Sequence, residues 1–195
     1  MGGLVALVGF SFVSSVTPGP NNILLWASGA EFGFRRTVRH VIGTALGIGS
    51  LALAVAAGLG VLVTTVPRLE FAMKVAGSVY LLFLAYQVAG SRTLERRAVS
   101  RPLGLIQAAT FQAINPKAWI FALGAITTFR PTDLPVMAGS VLVAVTMMGV
   151  VIPTAALWAG AGGVLSGLIA GDRANRIVSL ALAALLAATV AYVWI

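Results

Sequence analysis

The sequence predicts an all-α integral membrane protein, with six transmembrane helices arranged as two inverted three-helix repeats whose first helices are both broken. Three observations lead to this prediction: the composition, the spacing of the apolar runs, and two interruptions that contain proline. Of the 195 residues, 59% are hydrophobic and only 9% are charged, and the mean hydropathy is +0.99. A soluble domain is about 25% charged, so this chain has too few charges to cover a surface exposed to water. We therefore expect a multi-pass protein in a lipid bilayer.

The apolar runs set the number of predicted spans. A membrane-spanning helix needs about 20 mainly apolar residues. The runs that meet this length cover residues 3–30, 41–63, 72–90, 105–129, 135–158 and 176–195. We interpret the glycine-rich stretch at 159–163 as a loop that ends the fifth span. Because the connection after the fifth span carries few charges, a five-span chain is the alternative.

The connections between the spans predict the orientation, because basic loops stay in the cytoplasm. The odd-numbered connections hold nine basic residues, whereas the even-numbered ones hold three. The nine are Arg35, Arg36, Arg39, Arg92, Arg96, Arg97, Arg101, Arg173 and Arg176. Both termini are therefore predicted to lie outside, and the net charge of +8 is assigned to topology, with no nucleic-acid partner. The basic loop at 91–104 separates the two predicted repeats, 1–90 and 105–195.

Each predicted repeat begins with a span that proline interrupts. The interruptions read TPGPNN at 17–22 and NPKA at 115–118. Proline removes a backbone donor and displaces the carbonyl of the preceding turn, and irregular backbone at membrane depth persists only where protein or a water-filled cavity satisfies it. Paired interruptions in two halves indicate a binding site near the membrane midplane. The N–H groups after a break attract a carboxylate, whereas the freed carbonyls accept hydrogen bonds from an ammonium group, and an amino acid carries both groups.

The candidate substrate-binding residues lie at these two breaks. A lysine at the centre of a span costs about 2.5–3.5 kcal/mol, so we expect Lys117 to face a cavity or a partner, where it could bind a carboxylate. The neighbouring amides and hydroxyls can bind cargo or satisfy freed backbone groups. The candidates are Thr17, Pro18, Gly19, Pro20, Asn21, Asn22, Asn115, Pro116 and Lys117. The alternative is that the prolines only kink helices and that the lysine reaches the membrane surface.

Two stretches resemble a known family. Residues 17–49 (TPGPNNILLWASGAEFGFRRTVRHVIGTALGIG) resemble the N-terminal signature of the lysine exporter family, which includes the homoserine/threonine exporters, and residues 115–129 (NPKAWIFALGAITTF) resemble its second signature. The resemblance covers essentially the whole chain. It implies secondary transport, coupled to protons, that exports amino acids or related small metabolites across a bacterial cytoplasmic membrane.

The resemblance also bears on single residues. Many members of the family carry an acid at the position of Asn21 or Asn22, especially exporters of basic amino acids, so the two amides here disfavour a strongly cationic substrate. They also remove an obvious carrier for the coupled proton. Glu31 is the nearest carboxyl and is the candidate for proton coupling, the alternative being a solvated loop acid near Arg35. His40, beside Arg39 at a predicted membrane edge, is interpreted as a loop residue rather than a proton relay.

The remaining composition excludes several classes of site. The chain has no cysteine and one histidine, which excludes disulfides, thiolate metal sites and multi-histidine metal sites. No span carries the paired carboxylates or the Ser–His arrangement that an intramembrane hydrolase needs, so we expect neither an enzyme nor a cofactor. The alternatives to an exporter of small molecules are a metal-ion exporter and an accessory membrane subunit without a substrate. The sequence leaves homo-oligomerisation open, although GAEFG at 29–33 and GTALG at 43–47 predict close helix packing.

Overall fold

The computed structural model describes residues 2–90, 102–168 and 172–194. Within these ranges all of the regular structure is helical, as predicted. The helices are α1 (Gly2–Val16), α2 (Pro20–Phe32), α3 (Phe34–Ala54), α4 (Gly60–Thr65), α5 (Pro67–Gly90), α6 (Leu105–Ile114), α7 (Pro116–Phe129), α8 (Val136–Leu168) and α9 (Asp172–Trp194). A wider helical turn, Val55–Leu59, joins α3 to α4 and contains a kink at Gly58.

Length and composition identify candidate membrane spans among the described residues. Two helical segments, Phe34–Leu59 and Val136–Val164, are long and apolar enough to cross a membrane. The pair α1 and α2 passes the same test together and bends by 61° at its break, which makes a third span if the pair crosses as one. The six-span arrangement and the inverted repeat therefore stay predictions. Four of the arginines used to predict orientation lie outside the described residues: Arg92, Arg96, Arg97 and Arg101.

The first predicted connection is much shorter than the sequence indicated. Helix α2 continues to Phe32 and α3 begins at Phe34, so the expected connecting segment over 31–40 is reduced to Gly33. Gly33 has a φ of 78°, a left-handed conformation that glycine adopts without a steric penalty. Its N–H donates to the carbonyl of Gly29 and closes the last turn of α2. The residues that follow, including His40, are helical.

The glycine-rich stretch at 159–163 does not end the fifth predicted span, contrary to our expectation. Helix α8 runs through it to Leu168. A methyl group added to Gly162 would collide with the backbone of Trp26, and one added to Gly29 would collide with the backbone of Ala159. These glycines therefore let α8 lie directly against α2. Small residues serve this purpose between membrane helices, which is why glycines that weaken a helix in water are kept inside this one.

Helix α3 also lies against α6, and this contact brings the two predicted halves of the chain together. A side chain at Gly43 would meet the backbone of Leu105, and one at Gly47 would meet the backbone of Ala109. The main core cluster is built from α1, α3, α7 and α8, with Met147, Ala122 and Ala125 fully buried in it. This packing holds the breaks that follow α1 and α6 within the same bundle.

Candidate functional site: two helix breaks that share one cavity

The first break lies between Val16 and Pro20, and side chains satisfy the carbonyls that it frees. Gly19 caps α2 in an extended conformation, and Pro20 occupies the first helical position, where its missing N–H costs nothing. The Asn22 amide donates to the carbonyls of Ser15 and Thr17 at 2.7 and 2.8 Å. The indole N–H of Trp158 on α8 donates to the Val16 carbonyl at 3.3 Å. Side chains therefore pair the carbonyls of Ser15, Val16 and Thr17 at this break.

The second break is a single residue, Asn115. Its extended backbone ends α6 and caps α7, and Pro116 again takes the first helical position. The indole N–H of Trp119 donates to the carbonyl of Ala113 at 2.8 Å. At each break, therefore, a tryptophan indole N–H donates a hydrogen bond to a freed carbonyl: Trp158 at the first break and Trp119 at the second.

Lys117 joins the two breaks directly. Its ammonium nitrogen donates to the carbonyl and the hydroxyl of Thr17 at 2.6 and 2.9 Å and lies 3.4 Å from the carbonyl of Pro18. A side chain at Gly19 would press on the lysine stem, with its first carbon 2.8 Å from Lys117 Cδ. The charge of Lys117 is therefore held by freed carbonyl dipoles on the opposite half of the chain. No carboxylate within the described residues forms an ion pair with it.

A chain of buried amides links four helices beside this contact. Asn21 Oδ1 accepts hydrogen bonds from the Thr44 hydroxyl at 3.1 Å and from Gln112 Nε2 at 2.9 Å. Gln112 Oε1 in turn accepts from Asn115 Nδ2 at 3.1 Å. Asn21 is on α2, Thr44 on α3, Gln112 on α6, and Asn115 lies at the start of α7. The side-chain oxygen of Asn115, Oδ1, is buried without a hydrogen-bond partner in the described part of the chain.

These groups surround a cavity of about 40 Å³. It is lined by Ser14, Ser15, Gly19, Pro20, Asn21, Asn22, Thr44, Ile48, Gln112, Asn115, Lys117, Ala118, Phe121, Val151, Thr154 and Ala155. Apart from Lys117, the polar lining consists of amides and hydroxyls. A water needs at least about 10–15 Å³ of such space, so the cavity has room for about three waters and is smaller than an amino acid. The cavity as described is therefore too small for cargo.

Comparisons with known proteins identify the family of the chain. A family profile described as "LysE type translocator" matches residues 12–194. The chain belongs to the LysE-type translocator family. It is 29% identical over 121 residues to a cysteine/O-acetylserine efflux protein of Escherichia coli strain K12, and 28% identical over the same length to one of Salmonella typhimurium strain LT2. Each match covers 62% of this chain and 62% of the relative. No solved structure matches the chain.

The family resemblance stated from the sequence is thus confirmed, and most of the predicted site residues of this translocator lie together. The cavity is lined by Gly19, Pro20, Asn21, Asn22, Asn115 and Lys117, whereas Thr17, Pro18 and Pro116 form the adjoining backbone breaks. Glu31 does not line the cavity: it is the penultimate residue of α2 and is partly buried. Its role in proton coupling stays a prediction.

Three residues of the translocator were missed or misjudged from the sequence. Thr44 and Gln112 belong to the amide chain, and the only signal for them was a polar side chain inside an apolar run. His40 was expected in a loop, but it lies within α3 and is fully buried. The error has a simple cause. Because Gly33 alone connects α2 to α3, helix α3 begins before the three arginines, and His40 lies more than one turn after the start of that helix.

Proposed function

We propose that this chain is a secondary exporter of small neutral amino acids, which bind at the junction of the two helix breaks. One observation carries the proposal: in a LysE-type translocator, both breaks open onto a single cavity whose polar lining consists of amides and hydroxyls apart from Lys117. The curated relatives are named for the efflux of cysteine and O-acetylserine. Both compounds are small neutral amino acids, and both fit the absence of a carboxylate from the described cavity lining.

The two ends of an amino acid have matching groups at this junction. The N-terminus of α2 presents backbone N–H groups at Asn21 and Asn22, which favour a carboxylate. The unpaired Asn115 Oδ1 is a buried acceptor, and an ammonium group is a donor without acceptor capacity. We place the carboxylate at the start of α2 and the ammonium group at Asn115. Cargo of this kind requires the cavity to enlarge, because its present volume of about 40 Å³ holds only water.

Transport would proceed by alternating access, in which the two halves rock about the shared site. We propose that export is coupled to proton entry across a bacterial cytoplasmic membrane, with both termini outside. One charge crossing 100 mV supplies about 2.3 kcal/mol, which sustains a concentration gradient on the order of 40-fold, since each tenfold step takes about 1.4 kcal/mol. One proton per cargo molecule is therefore enough for a useful exporter.

The test is excretion by whole cells. Bacteria that express the chain are fed dipeptides, and the amino acids that accumulate in the medium are quantified for the wild type, Lys117→Ala and Lys74→Ala at matched membrane levels. Lys74 is the matched control because it is the chain's other lysine and lies on α5, outside the cavity lining. We expect selective excretion that is lost in Lys117→Ala and kept in Lys74→Ala. Excretion equal to that of cells without the protein, for every amino acid, would contradict the proposal and favour an accessory subunit.

A further inference from the structure

His40 is the one histidine of the chain, and its side chain is completely enclosed. Neither ring nitrogen has a hydrogen-bond partner among the described residues. Neutral imidazole carries one donor and one acceptor, and leaving such groups buried and unpaired is unfavourable. Unpaired buried groups in a native protein call for an explanation, such as a functional role or a bound water. An ionisable side chain inside a membrane bundle indicates function by default.

The surroundings of His40 form a polar stripe on α3. Thr37, His40 and Thr44 are buried and share one face of the helix by their spacing. Thr37 and Thr44 each hydrogen-bond a residue of α2: Thr37 contacts Ser28 at 3.1 Å, and Thr44 contacts Asn21 at 3.1 Å. His40 therefore lies between two polar bridges to α2. The stripe leads from the arginine-bearing end of α3 to the amide chain of the cavity.

Thr44 connects His40 to the cargo site. Its hydroxyl lies 3.1 Å from Asn21 Oδ1 and 3.0 Å from the backbone carbonyl of His40. A hydroxyl has one proton to donate, so the two acceptors compete for it. The Thr44 hydroxyl therefore links Asn21 to the backbone of His40, one helical turn away. The link is made by direct hydrogen bonds.

Few other groups near α3 could carry a proton. Helices α2, α6, α7 and α8 pack against α3, and the charged side chains they bring are Glu31 on α2 and Lys117 on α7. Lys117 is engaged with the carbonyls of the first break. Helix α3 itself adds Arg35, Arg36 and Arg39 in its first two turns, and arginine stays protonated in proteins. His40 is the buried titratable group between this end and the cavity.

We propose that His40 is the proton carrier of the transport cycle, an inference that rests on the proposed export function. A ring nitrogen of the neutral imidazole takes a proton from a water molecule admitted on one side of the membrane, forming a new N–H bond. It returns that proton to water on the other side after the bundle has switched. Cargo and proton are linked through the shared Thr44 hydroxyl, so export and proton entry alternate.

A spectroscopic experiment tests the carrier without any knowledge of the cargo. Because the chain has one histidine, isotope-labelled histidine in the full protein in nanodiscs gives ring signals from His40 alone. We expect them to change from the neutral to the imidazolium form as the pH is lowered stepwise, while the protein stays folded. A ring that stays neutral until the fold is lost would overturn the proposal.

A transport experiment separates this inference from the proposed function. Proteoliposomes are assayed with radiolabelled L-cysteine, kept reduced, for exchange at equal pH and for accumulation driven by a proton gradient. For His40→Gln we expect exchange near the wild-type rate and loss of the accumulation, which for one proton at 100 mV is up to about 40-fold. Glu31→Gln is assayed beside it as the rival carrier, and the control Lys74→Ala, which lies on α5 outside the cavity lining, keeps both activities.

Four other results would count against the assignment in different ways. Driven accumulation that survives in His40→Gln would overturn it, and so would loss of both activities, which would mark a structural role. Loss of accumulation in Glu31→Gln alone would give the role to Glu31. Absence of exchange by the wild-type protein would instead refute the export of cysteine, and the inference would fall with it.

Discussion

Asn21 and Asn22 follow the first break side by side, but they use opposite ends of their amide groups. Asn21 accepts two hydrogen bonds through its oxygen, whereas Asn22 donates two through its nitrogen. Their exposed fractions are nearly equal, at 7% and 8%. Aspartate has the shape of asparagine and replaces the nitrogen donor by an oxygen acceptor. The substitutions Asn21→Asp and Asn22→Asp therefore differ mainly in the hydrogen bonds that each new carboxylate meets.

The expected difference follows from these contacts. Both variants pay a similar desolvation penalty because both sites are equally buried. A carboxylate at position 21 keeps the donors Thr44 and Gln112, and hydrogen bonds to a charged group are worth about 1.5–3 kcal/mol each. A carboxylate at position 22 meets the carbonyl oxygens of Ser15 and Thr17 instead. We expect Asn22→Asp to be less stable than Asn21→Asp by about 3 kcal/mol, the lower end for two such bonds, because the Lys117 ammonium, which shares the Thr17 carbonyl with Asn22, offsets part of the difference.

The assay is thermal denaturation of the purified protein in detergent, followed by tryptophan fluorescence and by loss of the monodisperse peak. For a chain of this length a change of 1 kcal/mol moves the Tm by about 2–4 °C, so the Tm of Asn22→Asp should lie about 6–12 °C below that of Asn21→Asp. Asn22→Ala serves as the control, because it removes the donor without adding charge. Equal midpoints for the two aspartate variants, or the reverse order, would refute the assignment of the two amides.

Two further pairs of variants test the packing and the breaks. Gly162→Ala pushes α8 away from the backbone of Trp26 and should lower the free energy of unfolding by about 1–3 kcal/mol. The control Gly160→Ala adds a methyl group that meets nothing within 4 Å and should be neutral or slightly stabilising. Equal effects of the two substitutions would refute the close contact. Trp119→Phe removes a hydrogen bond to the freed carbonyl of Ala113. It should lower the free energy of unfolding by about 1–3 kcal/mol more than Trp26→Phe, the same substitution at another buried tryptophan. Urea or thermal unfolding measures the difference.

The sequence was most informative where the physics is local. Proline lacks a donor and fixes its backbone wherever it stands, so both breaks could be predicted from the residues at 17–22 and 115–118. The amides beside them could be placed at the site for the same reason. Their different hydrogen-bond partners could not be predicted. Asn22 donates to the backbone of its own break, whereas Asn21 accepts from Gln112, which is 91 residues away. A pairing over that distance depends on how helices pack.

The errors have the same origin. The glycines at 159–163 were interpreted as a loop because glycine weakens a helix, but Gly162 and Gly163 face α2 and permit close packing. His40 was assigned to a loop because it follows basic residues, but the tight turn at Gly33 places those residues on α3 itself. In both cases the local propensity was judged correctly and a contact between helices decided the outcome.

Lys117 sets an energetic condition on transport, if the proposed function holds. Two short hydrogen bonds from its ammonium group hold the breaks together. Hydrogen bonds to a charged group are worth about 1.5–3 kcal/mol each. The loss of both therefore exceeds the roughly 2.3 kcal/mol that one charge gains across 100 mV. One proton at that potential therefore does not by itself offset this loss, and a replacement acceptor would lower the cost of separating the breaks. A cargo carboxylate is such an acceptor, because its oxygens can take the hydrogen bonds of the Lys117 ammonium group when the Thr17 oxygens move away. The binding step must then require the carboxylate: the decarboxylated amine of a transported amino acid should neither compete for exchange nor be exported, and competition by that amine would show that Lys117 opens by another route.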